Sequence, residues 1–147
     1  METKVYLAGG LNDFDWQNKV ISSIKDENKP NKKEINDNKR FVFYNPREHM
    51  LTNSREYTIW DLFYVQKCDI LFAYMQKENP SGFGLTLEVG YARALDKPII
   101  LVDEKSVDDE NFKKYFKIVR ESSSIVFNNL EDGIKFLNNL KNGIIVL

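Results

Sequence analysis

Five short apolar runs alternate with helix-like stretches along this chain, and that alternation narrows the folds open to it. The runs are KVYLAG (4–9), RFVFYNP (40–46), DILFAY (69–74), KPIILVD (97–103) and SSIVF (123–127). Each reads as a strand. Between them, Asp15 to Lys25 has Trp16, Val20, Ile21 and Ile24 at helical spacing. Asn53 and Glu56 have the spacing of a capping box that starts a helix from about Arg55 to Lys67. LTLEVGYARAL, Asp108 to Arg120 and LEDGIKFLNNL read as three more helices. A β-α-β-α order implies a parallel sheet covered by helices on both faces. Right-handed crossovers gather the loops after the strands on one rim, where ligands bind. That rim collects Ala8–Gly10, Asn45–Arg47, Tyr74–Gly84 and the segment after Val102.

The predicted architecture is therefore α/β: a single-domain, doubly wound, flavodoxin-like sandwich over 1–147 with a mostly parallel five-stranded sheet. A length of 147 residues suits one compact domain. The polar run over 26–39 reads as a solvated loop, and the tail GIIVL as a short strand or core packing. A net charge of -1 offers no electrostatic footprint for nucleic acid or an anionic membrane surface. No apolar run approaches the roughly 20 residues of a membrane helix. The N-terminus enters a strand almost at once, and Cys68 has no second cysteine to pair with, so a cytoplasmic setting is expected.

Two acids stand out. On a helix, Glu88 shares a face with Gly84 and Ala92, beside Tyr91 and Leu95. Its neighbours are small or apolar, unlike those of a solvated face. Gly90 in the helix interior suggests that something packs close, and Gly82 and Gly84 allow close approach of a ligand. The helix N-terminus favours an ionised Glu88, and a partly dehydrated carboxylate is a competent nucleophile. The plain alternative is a salt bridge to Arg93 or Lys97, which the spacing serves poorly. Asp61 sits among Trp60, Leu62 and Phe63, where desolvation would raise its pKa and let it hold a proton for a leaving group. Its plain alternative is an exposed helix carboxylate. One ionised and one protonated carboxylate are the equipment of retaining glycosyl transfer.

The residues GLTLEVGYARA, KVYLAGG and Asp61 together resemble the nucleoside 2-deoxyribosyltransferase family, from Lys4 to about Asp103. The pattern reads here as Tyr6, Asp61, Asp69 and Gly84-Leu85-Thr86-Leu87-Glu88-Val89-Gly90-Tyr91-Ala92. The resemblance implies that Glu88 attacks the anomeric carbon of deoxyribose, Tyr6 orients Glu88, and Asp61 assists departure of the nucleobase. Asp69 then caps or positions the strand start. A second base, or water, takes the sugar from Glu88, and no metal or organic cofactor is implied. The expected partners are a nucleoside or nucleotide and a free nucleobase, with Gly9, Gly10, Arg47, Ser81, Gly82 and Gly84 as substrate-binding candidates. A homo-oligomer is implied, with Ser122 to Ser124 of a neighbouring subunit as candidates to complete the sugar pocket.

The chain departs from the family at the loop NPSGFG, which has Ser81 and Gly82 where transferases often carry another aspartate. Related hydrolases of deoxynucleoside monophosphates use serine there, with a Gly/Arg-rich first loop. GGLNDFDW has two acids and no arginine, although Arg47 stands near enough in the pattern to reach a phosphate. Three readings follow: a retaining deoxyribosyl transferase, an N-glycoside hydrolase of nucleosides or their monophosphates, and a nucleotide sensor without turnover. Gly82-x-Gly84 lacks the third glycine of a dinucleotide fingerprint. His49, the single histidine, has no Cys/His cluster around it for zinc. Cys68 reads as structural. Tyr57, Trp60 and Tyr64 read as core aromatics, with base stacking as the alternative.

Overall fold

The computed structural model describes residues 2–26 and 40–143. The run 27–39 and the tail 144–147, assigned above to a loop and to a short strand or core packing, lie outside the described residues. Five strands, β1 (Glu2–Gly9), β2 (Arg40–Tyr44), β3 (Ile70–Met75), β4 (Ile99–Asp103) and β5 (Ile125–Phe127), alternate with five helices. The helices are α1 (Trp16–Asp26), α2 (Ser54–Lys67), α3 (Phe83–Ala94), α4 (Glu110–Ser122) and α5 (Leu130–Gly143). The sheet order is β2-β1-β3-β4-β5, and every pairing is parallel. This is the flavodoxin-like doubly wound arrangement, with its switch point between β1 and β3.

The strands bury both faces, so successive residues serve different layers. Val5, Leu7, Phe72, Tyr74, Ile100 and Val102 pack with Trp16, Val20 and Ile24 of α1 and with Leu130 and Leu137 of α5. Tyr6, Ala8, Leu71, Ala73 and Leu101 pack instead with Val65 of α2, Leu85 and Val89 of α3, and Phe116 of α4.

Local chemistry sets the element ends. Asn53 caps α2 through its side chain, which accepts from the amides of Arg55 and Glu56. Asp109 caps α4 by accepting from the Phe112 amide. Asp69 positions the start of β3: its carboxylate accepts from the Lys4 amide at 2.8 Å. Cys68 is buried, its thiol donates to the Val65 carbonyl, and burial pushes its pKa up to about 11, as suits a structural cysteine.

Candidate active site

Tyr6, Asp61 and Glu88 come from three elements that meet on one face of the sheet. Tyr6 is the fifth residue of the inner strand β1, paired with Tyr44 on one side and Leu71 on the other. It points into the layer formed by α2 and α3, which pack side by side. Asp61 lies midway along α2, and Glu88 lies in the second turn of α3. Tyr6 is fully buried, and Glu88 is only 9% exposed. The Tyr6 hydroxyl, Glu88 Oε2 and Asp61 Oδ1 are each sealed from solvent without a protein hydrogen-bond partner. Buried polar atoms in native proteins are nearly always paired, so three such atoms in one cluster make this the candidate site.

The three groups act on one another electrically. The Tyr6 hydroxyl favours the ionised form of both carboxylates, although its geometry to neither qualifies as a formed hydrogen bond. Burial pushes the Glu88 carboxyl up to about 8, with the Asp61 charge adding to the rise. Burial also raises Asp61, opposed by Tyr6 and His49. Desolvation drives Tyr6 far above the ordinary phenol range, with both carboxylates adding to it, so it remains a neutral donor.

One expectation needs correcting. The helix dipole does not hold Glu88 ionised. The helix starts at Phe83, not Leu85, so Glu88 sits beyond the first turn, where the dipole has faded and desolvation dominates. The salt-bridge alternative for Glu88 also falls away in part, because the Lys97 ammonium donates to the Cys68 carbonyl.

The glycines divide into structural and open positions. Gly82 adopts a left-handed conformation, φ 69°, to start α3, and an added Cβ would lie 2.8 Å from the Met75 sulfur. The Asn79 side chain holds this entry by accepting from the amides of Ser81 and Gly82. Gly84 is exposed, and an added Cβ would meet only Glu88 Oε1, at 3.9 Å. Gly9 lets Trp16 lie against the strand, since an added Cβ would sit 2.8 Å from the Trp16 ring and 2.7 Å from the Tyr74 carbonyl. Gly10 O accepts from the Trp16 indole, so Gly9 and Gly10 have packing reasons that their motif did not reveal. Gly90 was expected to accommodate a close neighbour, yet nothing among the described residues lies within 4 Å of the position of its missing Cβ.

Arg47 is turned to the opposite layer. Its guanidinium pairs with Asp15 at 3.2 Å and donates to Gln17 Oε1. Ser81 is exposed. The Ser122 and Ser123 hydroxyls donate to carbonyls of their own helix, and Ser124 Oγ accepts from the Ile99 amide. Their bonds thus lie within α4 and at the start of β4, the edge opposite the ligand rim. One residue beside Asp61 carried no functional reading in the sequence. His49 Nε2 lies 3.7 Å from Asp61 Oδ1, and the ring packs edge-on against Trp60, 4.8 Å between centroids. Among the described residues no group of three or more His, Cys, Asp and Glu is placed to hold a metal ion. No described helix is long and apolar enough to cross a membrane.

Comparison with known proteins identifies the family. The sequence model of a family described as nucleoside 2-deoxyribosyltransferase like matches residues 2–106, and the chain belongs to that family. No curated protein shows significant sequence similarity to it. Among solved structures, it is similar to a 2-deoxyribosyltransferase from Bacillus psychrosaccharolyticus, with a TM-score of 0.61 and 20% identity over 93% of this chain and 91% of that one. A 2-desoxiribosyltransferase from Leishmania mexicana matches with a TM-score of 0.59 and 14% identity, covering 97% and 99% of the two chains. A CMP N-glycosidase from Clostridium botulinum matches with a TM-score of 0.56 and 17% identity, covering 92% and 98%. At these identities the likeness shows the fold.

Proposed function

We propose that this protein transfers 2-deoxyribose between nucleobases of 2'-deoxynucleosides, with retention, through a sugar ester on Glu88. The observation that carries the reading is the cluster of Tyr6, Asp61 and Glu88, each with a sealed polar atom unpaired in the protein. In the first step a Glu88 carboxylate oxygen bonds to the anomeric carbon. The bond from that carbon to the base nitrogen breaks, its electron pair goes to the nitrogen, and Asp61 supplies the proton. In the second step the nitrogen of another base displaces Glu88 and returns its proton to Asp61. Tyr6 orients Glu88 by turning its one hydroxyl proton to that carboxylate. Burial raises both acids, so the free pair holds a proton; the chemistry requires that the bound donor move it from Glu88 to Asp61, leaving Glu88 ionised for attack.

N-glycoside hydrolysis is the second reading. It shares the first step, with water taking the sugar in the second, and Ser81 in place of a loop aspartate favours it. Nucleosides are the proposed donors in either case, because Arg47 is engaged by Asp15 and Gln17. We also infer a homo-oligomer formed through α3 and α4, where Phe83 (81% exposed), Leu87, Tyr115 and Ile118 (73% exposed) leave apolar side chains in water. Incubation with a panel of 2'-deoxynucleosides and their monophosphates, with and without a second free base, tests the assignment. A new nucleoside formed only with the second base supports transfer. Free deoxyribose, or its phosphate, in every incubation supports hydrolysis, and no product from any donor rejects both.

A further inference from the structure

His49 follows a 3-10 turn, Pro46–Glu48, whose entry is fixed by the Asn45 side chain accepting from the Arg47 amide. The His49 side chain is only 7% exposed. Its Nδ1 accepts from the Leu51 amide at 2.9 Å, which selects the neutral tautomer with the proton on Nε2. That Nε2–H faces Asp61 Oδ1 at 3.7 Å, longer than a hydrogen bond but within a sub-ångström adjustment of one. The Trp60 ring braces the imidazole. Asp61 Oδ1 is sealed and unpaired, while the Asp61 side chain as a whole is 25% exposed. The exposure therefore belongs to the rest of the group, Oδ2 included.

We propose that His49 is a positioning residue for Asp61, donating Nε2–H to Oδ1 so that Oδ2 is aimed at the leaving nucleobase. The proposal rests on the glycosyl-transfer reading for its consequence and on the side-chain geometry for its existence. During departure of the base, the proton on Oδ2 passes to the base nitrogen. The carboxylate left behind keeps the Nε2–H hydrogen bond, and His49 neither gains nor loses a proton. Three groups face Asp61 from the surrounding elements: Tyr6 from β1, Glu88 from α3 and His49 from the loop after β2. Of these, Tyr6 and His49 favour its ionised form, and the Asp61 charge in turn raises Glu88. Arg47, nearby in sequence, is turned away to Asp15.

The test uses three forms of the full chain: wild type, His49→Phe and His49→Gln. Phenylalanine keeps the ring against Trp60 and loses the donor. Glutamine brings an amide donor to nearly the same reach and does not titrate. The Asp61 carboxyl carbon is followed by NMR titration, and kcat and KM are measured across pH with a poor and a good leaving base. The expected result is an upward shift of the Asp61 midpoint in His49→Phe, with kcat lowered roughly tenfold for the poor leaving base and little changed for the good one. In His49→Gln both effects should be largely reversed. An Asp61 midpoint unmoved in His49→Phe overturns the proposal, and so does a glutamine variant that behaves like phenylalanine. The titration needs no turnover. If wild type cleaves no nucleoside, the glycosyl-transfer reading fails while the Asp61 midpoint still decides the role of His49.

Discussion

Trp16 and Tyr6 are both large aromatics at zero exposure, one on each face of the same sheet, and each carries one polar atom. The Trp16 indole donates to the Gly10 carbonyl at 3.0 Å, and its ring packs against Phe72 and Tyr74. The Tyr6 hydroxyl points at two carboxylates and completes a hydrogen bond to neither. Burial is equal on the two faces, and satisfaction of the two aromatics is not. Among the described residues, the α1–α5 face leaves one buried side-chain atom unpaired, Gln17 Nε2, whereas three unpaired atoms cluster on the α2–α3 face. The α2–α3 face holds buried acids that stability alone would discard, and that is what makes it the candidate site.

The largest effect that separates the faces is on rate. Glu88→Ala should abolish turnover, a loss of several orders of magnitude, with the fold retained, since alanine suits a helix. Leu7→Ala, on the other face, should cost about 2–5 kcal/mol of stability and leave kcat of the folded enzyme near wild type. Denaturant unfolding and steady-state kinetics on the two variants read both quantities. Equal effects of the two on rate would erase the distinction.

Stability against pH comes next. Glu88 binds its proton more tightly folded than unfolded, with a folded value near 8 against a reference of 4.5. Its contribution is full below the unfolded value and is lost as pH rises through about 8. Glu88→Gln should therefore gain on wild type as pH rises from 5 to 9. At about 1.4 kcal/mol per pH unit of linkage, the gain is on the order of a few kcal/mol. Thermal melting across that range checks it, and a constant difference between the two proteins would show that Glu88 is not held protonated.

Tyr6→Phe should sharpen the comparison further. It removes an unpaired buried hydroxyl, so stability should rise by about 1 kcal/mol or stay level while kcat falls. Removal of the paired indole by Trp16→Phe should move stability down instead. Arg47→Ala loses a half-exposed contact to Asp15 and leaves the buried Gln17 Oε1 without its donor, so stability should fall by about 1–3 kcal/mol. Nucleosides should remain better donors than their 5'-monophosphates in both wild type and Arg47→Ala, as parallel kcat/KM measurements would show.

The order of strands and helices was legible because each strand is a compact apolar run and each helix carries its own period. Tyr6, Asp61 and Glu88 were legible as single residues, since a motif lies within one element. Relations between elements were not. His49 is 12 residues from Asp61, across a turn that no periodicity spans, and Arg47 meets Asp15 from another layer. The ionisation of Glu88 was misread for the same reason. A helix register shows the neighbours along one helix, whereas Glu88 is also influenced by Tyr6 of β1 and Asp61 of α2.

The central claim is that Glu88 holds the sugar covalently. Mass spectrometry of enzyme quenched with a 2'-deoxynucleoside donor alone tests it most directly. The account predicts a deoxyribosyl adduct on the peptide containing Glu88, absent in Glu88→Ala, and a β-configured nucleoside when a second base is added. An adduct on another residue, or a product of inverted configuration, would contradict it.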